Sequence, residues 1–131
     1  MVDDRLTDGR RIAELLASEL DGLGDALEMV AITDADREVT PTPDGARAYR
    51  VTMRSEDQDC ELADVFVQPD RARVEFILAP DVAAERASAE ELRVRPKASR
   101  PPRTLVFVED GAEVKRAVVV FEAVVAALDG E

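Results

Sequence analysis

CELADVFVQPDRARVEFILA, residues 60–79, decides the fold. Residues 60–68 and 72–79 are both rich in Val, Phe, Ile and Leu, and Pro69-Asp70-Arg71 between them is a turn signal, so the stretch reads as a hairpin. In the second half Val74, Phe76 and Leu78 share one face, as the two-residue period of a strand requires. In the first half the alternation slips near Ala63 and Asp64, which predicts a bulge. Two strands joined by so tight a turn run antiparallel.

Working outward, ARAYRVTMR (46–54) alternates Tyr49, Val51 and Met53 with Arg50, Thr52 and Arg54, the pattern of a half-exposed strand. LEMVAIT (27–33) reads as a strand apolar on both faces, separated from the first by a long turn through Asp34, Asp36, Pro41, Pro43 and Gly45. Residues 7–21 place Ile12, Leu15, Leu16, Leu20 and Leu23 at helical spacing, with Thr7 or Asp8 as a cap and Gly22 and Gly24 as the stop. Pro80-Asp81 opens an Ala-rich helix to about Leu92, and TLVFV (104–108) is a short central strand. The C-terminal stretch carries two signals. Asp110-Gly111 and the valines at 118–120 suit a hairpin, but Val114, Ala117, Val118, Phe121, Val124, Val125 and Leu128 form a helical stripe. Asp110 with Glu113 resembles a capping box and Gly130 follows the stripe, so 112–129 is read as helix.

The resulting order, α-β-β-β-β-α-β-α, predicts one α+β domain over 1–131. It is a two-layer fold with a largely antiparallel five-stranded sheet and helices on one face. RVRPKASRPPR (93–103) is read as a connector from helix to strand, held extended by its prolines. Val30, Ile32, Val65, Val67, Val106 and Val108 lie out of phase with the other strand apolars. They predict a second apolar sheet face, covered by a second copy of the chain through Val65, Val67, Val106 and Val108.

Composition narrows the class. The chain has 131 residues, 46% of them apolar, with one Tyr, four Phe and no Trp, enough for one aliphatic core. No run approaches the ~18 apolar residues of a membrane span, and MVDDRLTDGR lacks the pattern of a signal peptide. With a lone Cys60, the chain reads as cytoplasmic. Acids outnumber bases 29 to 17, the net charge is −12, and only Lys97 and Lys115 among the bases are Lys. Acid excess, scarce Lys and abundant Ala and Val resemble the small acidic cytosolic proteins of halophilic archaea. That resemblance is one of composition over the whole chain, without a motif. It implies adaptation to molar salt, where a Debye length of about 3 Å screens the self-repulsion of so acidic a chain.

Several chemistries are excluded by residue type. Without His there is no His triad, His base or His metal ligand. One Cys rules out four-cysteine zinc sites and CxxC redox work, and no Gly-rich phosphate loop occurs. Asp34-x-Asp36-x-Glu38 and Asp57-x-Asp59-x-Glu61 look like hard-cation triplets, yet both lack the Gly and the closing Glu of a calcium loop, so they read as solvated loops and no metal or cofactor is expected. Cys60, in phase with Leu62 and without an imidazole to activate it, reads as a small, partly buried apolar residue. Tyr49 reads as core, its hydroxyl partnered at the sheet edge.

The basic segment holds Arg93, Arg95, Lys97, Arg100 and Arg103, while the other 120 residues carry −17, 12 bases against 29 acids. Five phosphate contacts at a slope of about −0.9 each would lose roughly six decades of affinity between ~0.15 and ~3 M salt. The segment also contains no aromatic residue on which a base would stack. The sequence therefore reads first as a non-enzymatic, homodimeric interaction module, with the basic segment as a connector or a contact for a protein partner, nucleic acid disfavoured and no membrane partner. Second comes an accessory nucleic-acid binder through 93–103, and third an enzyme built on carboxylates and Arg.

Overall fold

The computed structural model describes residues 7–22, 29–54 and 58–129. In chain order the elements are α1 (Gly9–Gly22), β1 (Val30–Thr33), β2 (Ala46–Met53), β3 (Cys60–Gln68), β4 (Arg71–Phe76), α2 (Pro80–Ala89), β5 (Arg93–Lys97), β6 (Arg103–Val108) and α3 (Gly111–Asp129). The class is α+β. Local chemistry explains most of the boundaries. Asp8 Oδ1 accepts the Arg11 amide at 3.2 Å and starts α1. Pro80 opens α2, where a missing amide hydrogen costs nothing. Asp110 Oδ1 accepts the Glu113 amide at 2.9 Å, while Glu113 Oε1 reaches back to the Glu109 amide at 2.8 Å. That reciprocal cap settles the ambiguous C-terminal stretch as helix. Burial holds the Glu113 carboxyl pKa above the usual range, against the Glu109 amide, which pulls it down.

The sheet has six strands in the order β1-β2-β3-β4-β6-β5, every neighbouring pair antiparallel. The expectation of five strands is thus corrected, and the sixth is the front of the basic segment. RVRPK pairs with β6 from Arg93↔Phe107 to Lys97↔Arg103. Pro96 is tolerated because β5 lies at the sheet edge, where one side of the strand has no partner to donate to. Pro, Arg and Lys on such an edge also discourage further strand addition. The predicted bulge is present one residue early: Val51 pairs with Ala63 and Thr52 with Glu61, leaving buried Leu62 unpaired.

All three helices pack on one face of the sheet. There α1 crosses β1, β3 and β4, α2 lies over β5 and β6, and α3 runs between α1 and α2. Gly9 is required where α1 meets the β3–β4 turn, because a Cβ there would sit inside van der Waals distance of the Gln68 and Arg71 carbonyl oxygens. The core beneath includes Ile12, Leu16, Leu20, Val51, Phe76 and Phe121, the two rings 4.8 Å apart and tilted by 51°.

The apolar face assigned to a second copy is part of this core. In register, Val65 pairs with Val74, Val74 with Val106, Val67 with Ala72 and Ala72 with Val108. Val65, Val67, Val106 and Val108 are all 0% exposed. Val30 and Ile32 join them through Met53 and Val51. The mismatch of phase seen along the chain was a mismatch between strands whose register had not yet been set, compounded by the bulge at Leu62. The four valines face the helices, which removes the reason for expecting a homodimer through them.

Candidate functional site

The opposite face of the sheet is the chemically unusual surface. Successive residues of a strand alternate between faces, so the register places one row as Arg47–Phe66–Arg73–Phe107–Arg93, running across β2, β3, β4, β6 and β5. The next row is Thr33–Arg50–Asp64–Glu75–Leu105–Arg95. Lys97 and Arg103 face each other in the row beyond, and Arg71 stands beside Gln68 at the opposite end. Eight of the 17 bases therefore lie on one sheet face, against three strand acids, Glu61, Asp64 and Glu75, and two flanking acids, Asp34 and Glu109, whose carboxylates reach Arg50 and Arg71. That face carries +3, while the remaining nine bases and 24 acids carry −15. The 41–45 loop borders it through Gln68 Nε2 to the Pro43 carbonyl at 2.7 Å and Arg73 Nη1 to the Asp44 carbonyl at 3.0 Å, and Asp34 and Glu109 border it through Arg50 at 3.7 Å and Arg71 at 3.3 Å.

Two carboxylates anchor the surface. Asp64 is 3% and Glu75 1% exposed, although neither lies under a helix, because guanidinium groups are laid over them. Arg50 Nε donates to Asp64 Oδ1 at 2.9 Å, and Arg103 Nη1 spans Asp64 Oδ2 at 3.3 Å and Glu75 Oε1 at 3.1 Å. Arg73 Nε reaches Glu75 Oε2 at 3.1 Å and Lys97 Nζ reaches Glu75 Oε1 at 3.2 Å. All four carboxylate oxygens are thus engaged. A buried carboxylate costs several kcal/mol unless paired in this way, and the pairing in turn fixes the cations in place. The hydrogen bond to Asp64 is the largest influence holding the Arg50 pKa above the ordinary guanidinium value; desolvation opposes it, and the charges of Asp64, Glu61 and Asp34 add to it.

The cations divide into two groups. Arg50, Arg73 and Arg103 are held by the acids, with side chains 22%, 14% and 25% exposed. Arg47, Arg93 and Lys97 are more open at 41%, 66% and 49%, with Arg47 and Arg93 at 4.0 Å and 3.7 Å from their nearest carboxylates. Arg95 is exposed. Two guanidinium groups also stack on rings: Arg73 lies 4.7 Å from the Phe66 centroid and Arg71 4.2 Å from that of Phe107.

Of the basic segment, Arg93, Arg95, Lys97 and Arg103 enter this face, and Arg100 is exposed in the β5–β6 turn. Sequence reasoning missed Arg47, Arg50, Arg71, Arg73, Phe66 and Phe107 because they come from four other strands. The available signal was period-two charge, as in Arg71-x-Arg73-x-Glu75 and Arg93-x-Arg95-x-Lys97.

The other candidates disperse. Cys60 is exposed at the start of β3, not partly buried, since the strand begins where it is not covered. Asp34 pairs with Arg50 at 3.7 Å, and Asp36 Oδ1 caps its own turn through the Glu38 amide. Glu61 pairs with Arg50, and Asp57 lies outside the described residues. Among the described residues, no three acidic or Cys side chains converge as a metal site. A cleft of about 990 Å3 between α1 and β1–β2 mixes apolar residues with charges of both signs, and its lining residues Gly22 and Val30 flank 23–28, outside the described set.

Tyr49 is buried and donates its hydroxyl to the Ala13 carbonyl at 2.8 Å. Burial pushes its pKa well above the ordinary phenol value. A raised folded pKa means that its contribution to stability is complete below the unfolded value of ~10 and is lost as pH rises above it. Because it is the sole tyrosine, ultraviolet titration reads this group alone. Phenolate absorbance is expected to appear only together with loss of the circular-dichroism signal; ionisation near pH ~10 in a folded protein would contradict the burial.

Residues 1–131 match, over their whole length, the Family of unknown function (DUF7993). The chain belongs to this family. No curated protein and no solved structure matches it. What can be said of this DUF7993 chain chemically therefore rests on its own residues. No described helix is long and apolar enough to cross a membrane.

Proposed function

We propose that the chain is a non-enzymatic binding module whose helix-free sheet face takes an anionic partner. The observation that supports this reading is the segregation of charge: +3 on one face and −15 elsewhere in a chain of net −12. A basic surface on an acidic body focuses an attractive field where the rest of the molecule repels anions. Asp64 and Glu75 serve as anchors in this reading, because each oxygen is occupied by a guanidinium or ammonium group and none is free to move a substrate proton. Two copies of the same basic face repel, so the partner is not a second identical face.

The direct test replaces Arg47, Arg93 and Arg95 together with Gln. Inorganic polyphosphate is expected to bind the native protein at low salt and to lose at least about tenfold in affinity for the variant, roughly 1.4 kcal/mol. The melting temperature is expected to change little, because these three are the cations least held by the network. Gln at exposed Lys115 and Arg116 of α3 is the control and is expected to change nothing. Equal loss from both sets would refute a localised face.

Adaptation to high salt is part of the same proposal and is supported by 29 acids against 17 bases. Thermal stability is then expected to rise between roughly 0.1 and 2 M KCl as self-repulsion is screened. A flat or falling melting curve over that range refutes it.

A further inference from the structure

Resting on the reading of the face as an anion-binding surface, we infer that its partner is single-stranded nucleic acid, with bases stacking at Phe66 and on the guanidinium over Phe107. The carrying observation is the row Arg47–Phe66–Arg73–Phe107–Arg93, in which cation and aromatic ring alternate across five adjacent strands. At ~4.8 Å between strands, the two rings stand about 10 Å apart with cations on either side of each. Interleaving of this kind supplies both recognition terms of a single strand at once, charge for phosphate and a π-face for the base.

The alternatives use only part of it. An acidic polypeptide pairs with guanidinium groups but has no use for the rings. A duplex keeps its base faces inside its own stack and offers phosphates alone, whereas an unpaired strand offers both. The two ring positions are not equivalent. Phe66 carries Arg73 over one ring face at 4.7 Å but is only half-buried, with exposed Arg47 as its neighbour on the other side, so a base meets the part of the ring that Arg73 leaves open. Phe107 is 6% exposed under Arg71, so a base there stacks on the guanidinium plane, as unpaired bases also do.

Salt tolerance follows from the same geometry. The acids already hold Arg50, Arg71, Arg73, Arg103 and Lys97, leaving Arg47, Arg93 and Arg95 as the freest cations for phosphates and a slope of roughly −2 in log affinity against log salt for a single strand. Over the range from ~0.15 to ~3 M this removes about three decades, and the stacking contribution is not screened. The absence of aromatic residues from 93–103 is made good by β3 and β6.

The test uses the full chain and three labelled probes: oligothymidylate of about ten nucleotides, an abasic strand of the same length and charge, and poly-glutamate. Oligothymidylate is expected to bind at least about tenfold more tightly than the abasic strand, the effect of a single stacked base. Phe66→Leu is expected to remove the larger part of that preference while leaving abasic-strand binding and the melting temperature unchanged. Arg71→Gln is expected to reduce the preference in part. Equal binding of the base-bearing and abasic strands, with Phe66→Leu silent, overturns the inference and leaves a plain polyanion face standing. Tighter binding of poly-glutamate overturns it in favour of an acidic polypeptide. Failure of all three probes overturns both this inference and the reading on which it rests.

Discussion

Replacing Glu75 with Ala is expected to destabilise the protein by about 3 kcal/mol, read as a lower midpoint in urea with an unchanged slope. Glu75 is 1% exposed and accepts from Arg73, Lys97 and Arg103 at 3.1–3.2 Å. Removing it strands three cations over a half-buried surface beside Asp64. The loss falls at the lower end of the range for a broken buried pair because Lys97 and Arg103 keep contact with water, which compensates part of what they lose. Glu61 is the comparison: its side chain is 51% exposed and pairs with Arg50 at the surface, so Glu61→Ala is expected to cost no more than about 1 kcal/mol. Losses of equal size would mean that Glu75 is an ordinary surface acid. The same variant loosens Arg73 beneath Phe66, so its effect on polyphosphate binding is expected to accompany the stability loss.

Val106→Asp is expected to abolish folding, with no cooperative thermal transition. Val106 is 0% exposed, flanked in register by Val74 and Val94, on the face that the helices cover. A carboxylate there has no cation partner and costs several kcal/mol even after relaxation, on top of the lost packing, against a total stability of about 5–15 kcal/mol for a small domain. Were these valines the contact between two copies, as the sequence reading has them, the same substitution would instead separate two folded chains. The neighbour provides the contrast. Leu105 stands on the opposite face between Glu75 and Arg95, and Leu105→Asp is expected to cost about 1–2 kcal/mol and leave a cooperative transition. A folded, monomeric Val106→Asp protein would return these valines to an exposed surface and contradict the core described above.

Most element positions were legible because they are local properties. The Asp8 and Asp110 caps, Pro80 at a helix start, the turn at Pro69 to Arg71 and the alternation through Tyr49, Val51 and Met53 each act over a few residues, and the structure has each where the chain shows it. The helical stripe from Val114 to Leu128 also prevailed over the strand preference of its valines. The reason is tertiary: α3 lies between α1 and α2, so even Val120, off the expected stripe, is buried.

What the chain by itself determined was thus the class, the antiparallel hairpin and the charge inventory. Two things were decided only in three dimensions. Which face a strand residue takes depends on register, and two unpaired residues in the β2–β3 pairing, Ala48 and Leu62, shift the phase of what lies beyond them; the first puts Arg47 and Arg50 on one face. Hence four core valines read as an exposed patch, and RVRPK, broken by Pro96, read as a connector although an edge position tolerates that proline. The basic face is the second. Its cations and rings come from β2, β3, β4, β5 and β6, between Arg47 and Phe107 in the chain, and no window along the sequence contains them. Only pairing of the strands, at ~4.8 Å spacing, turns scattered Arg and Phe into one surface.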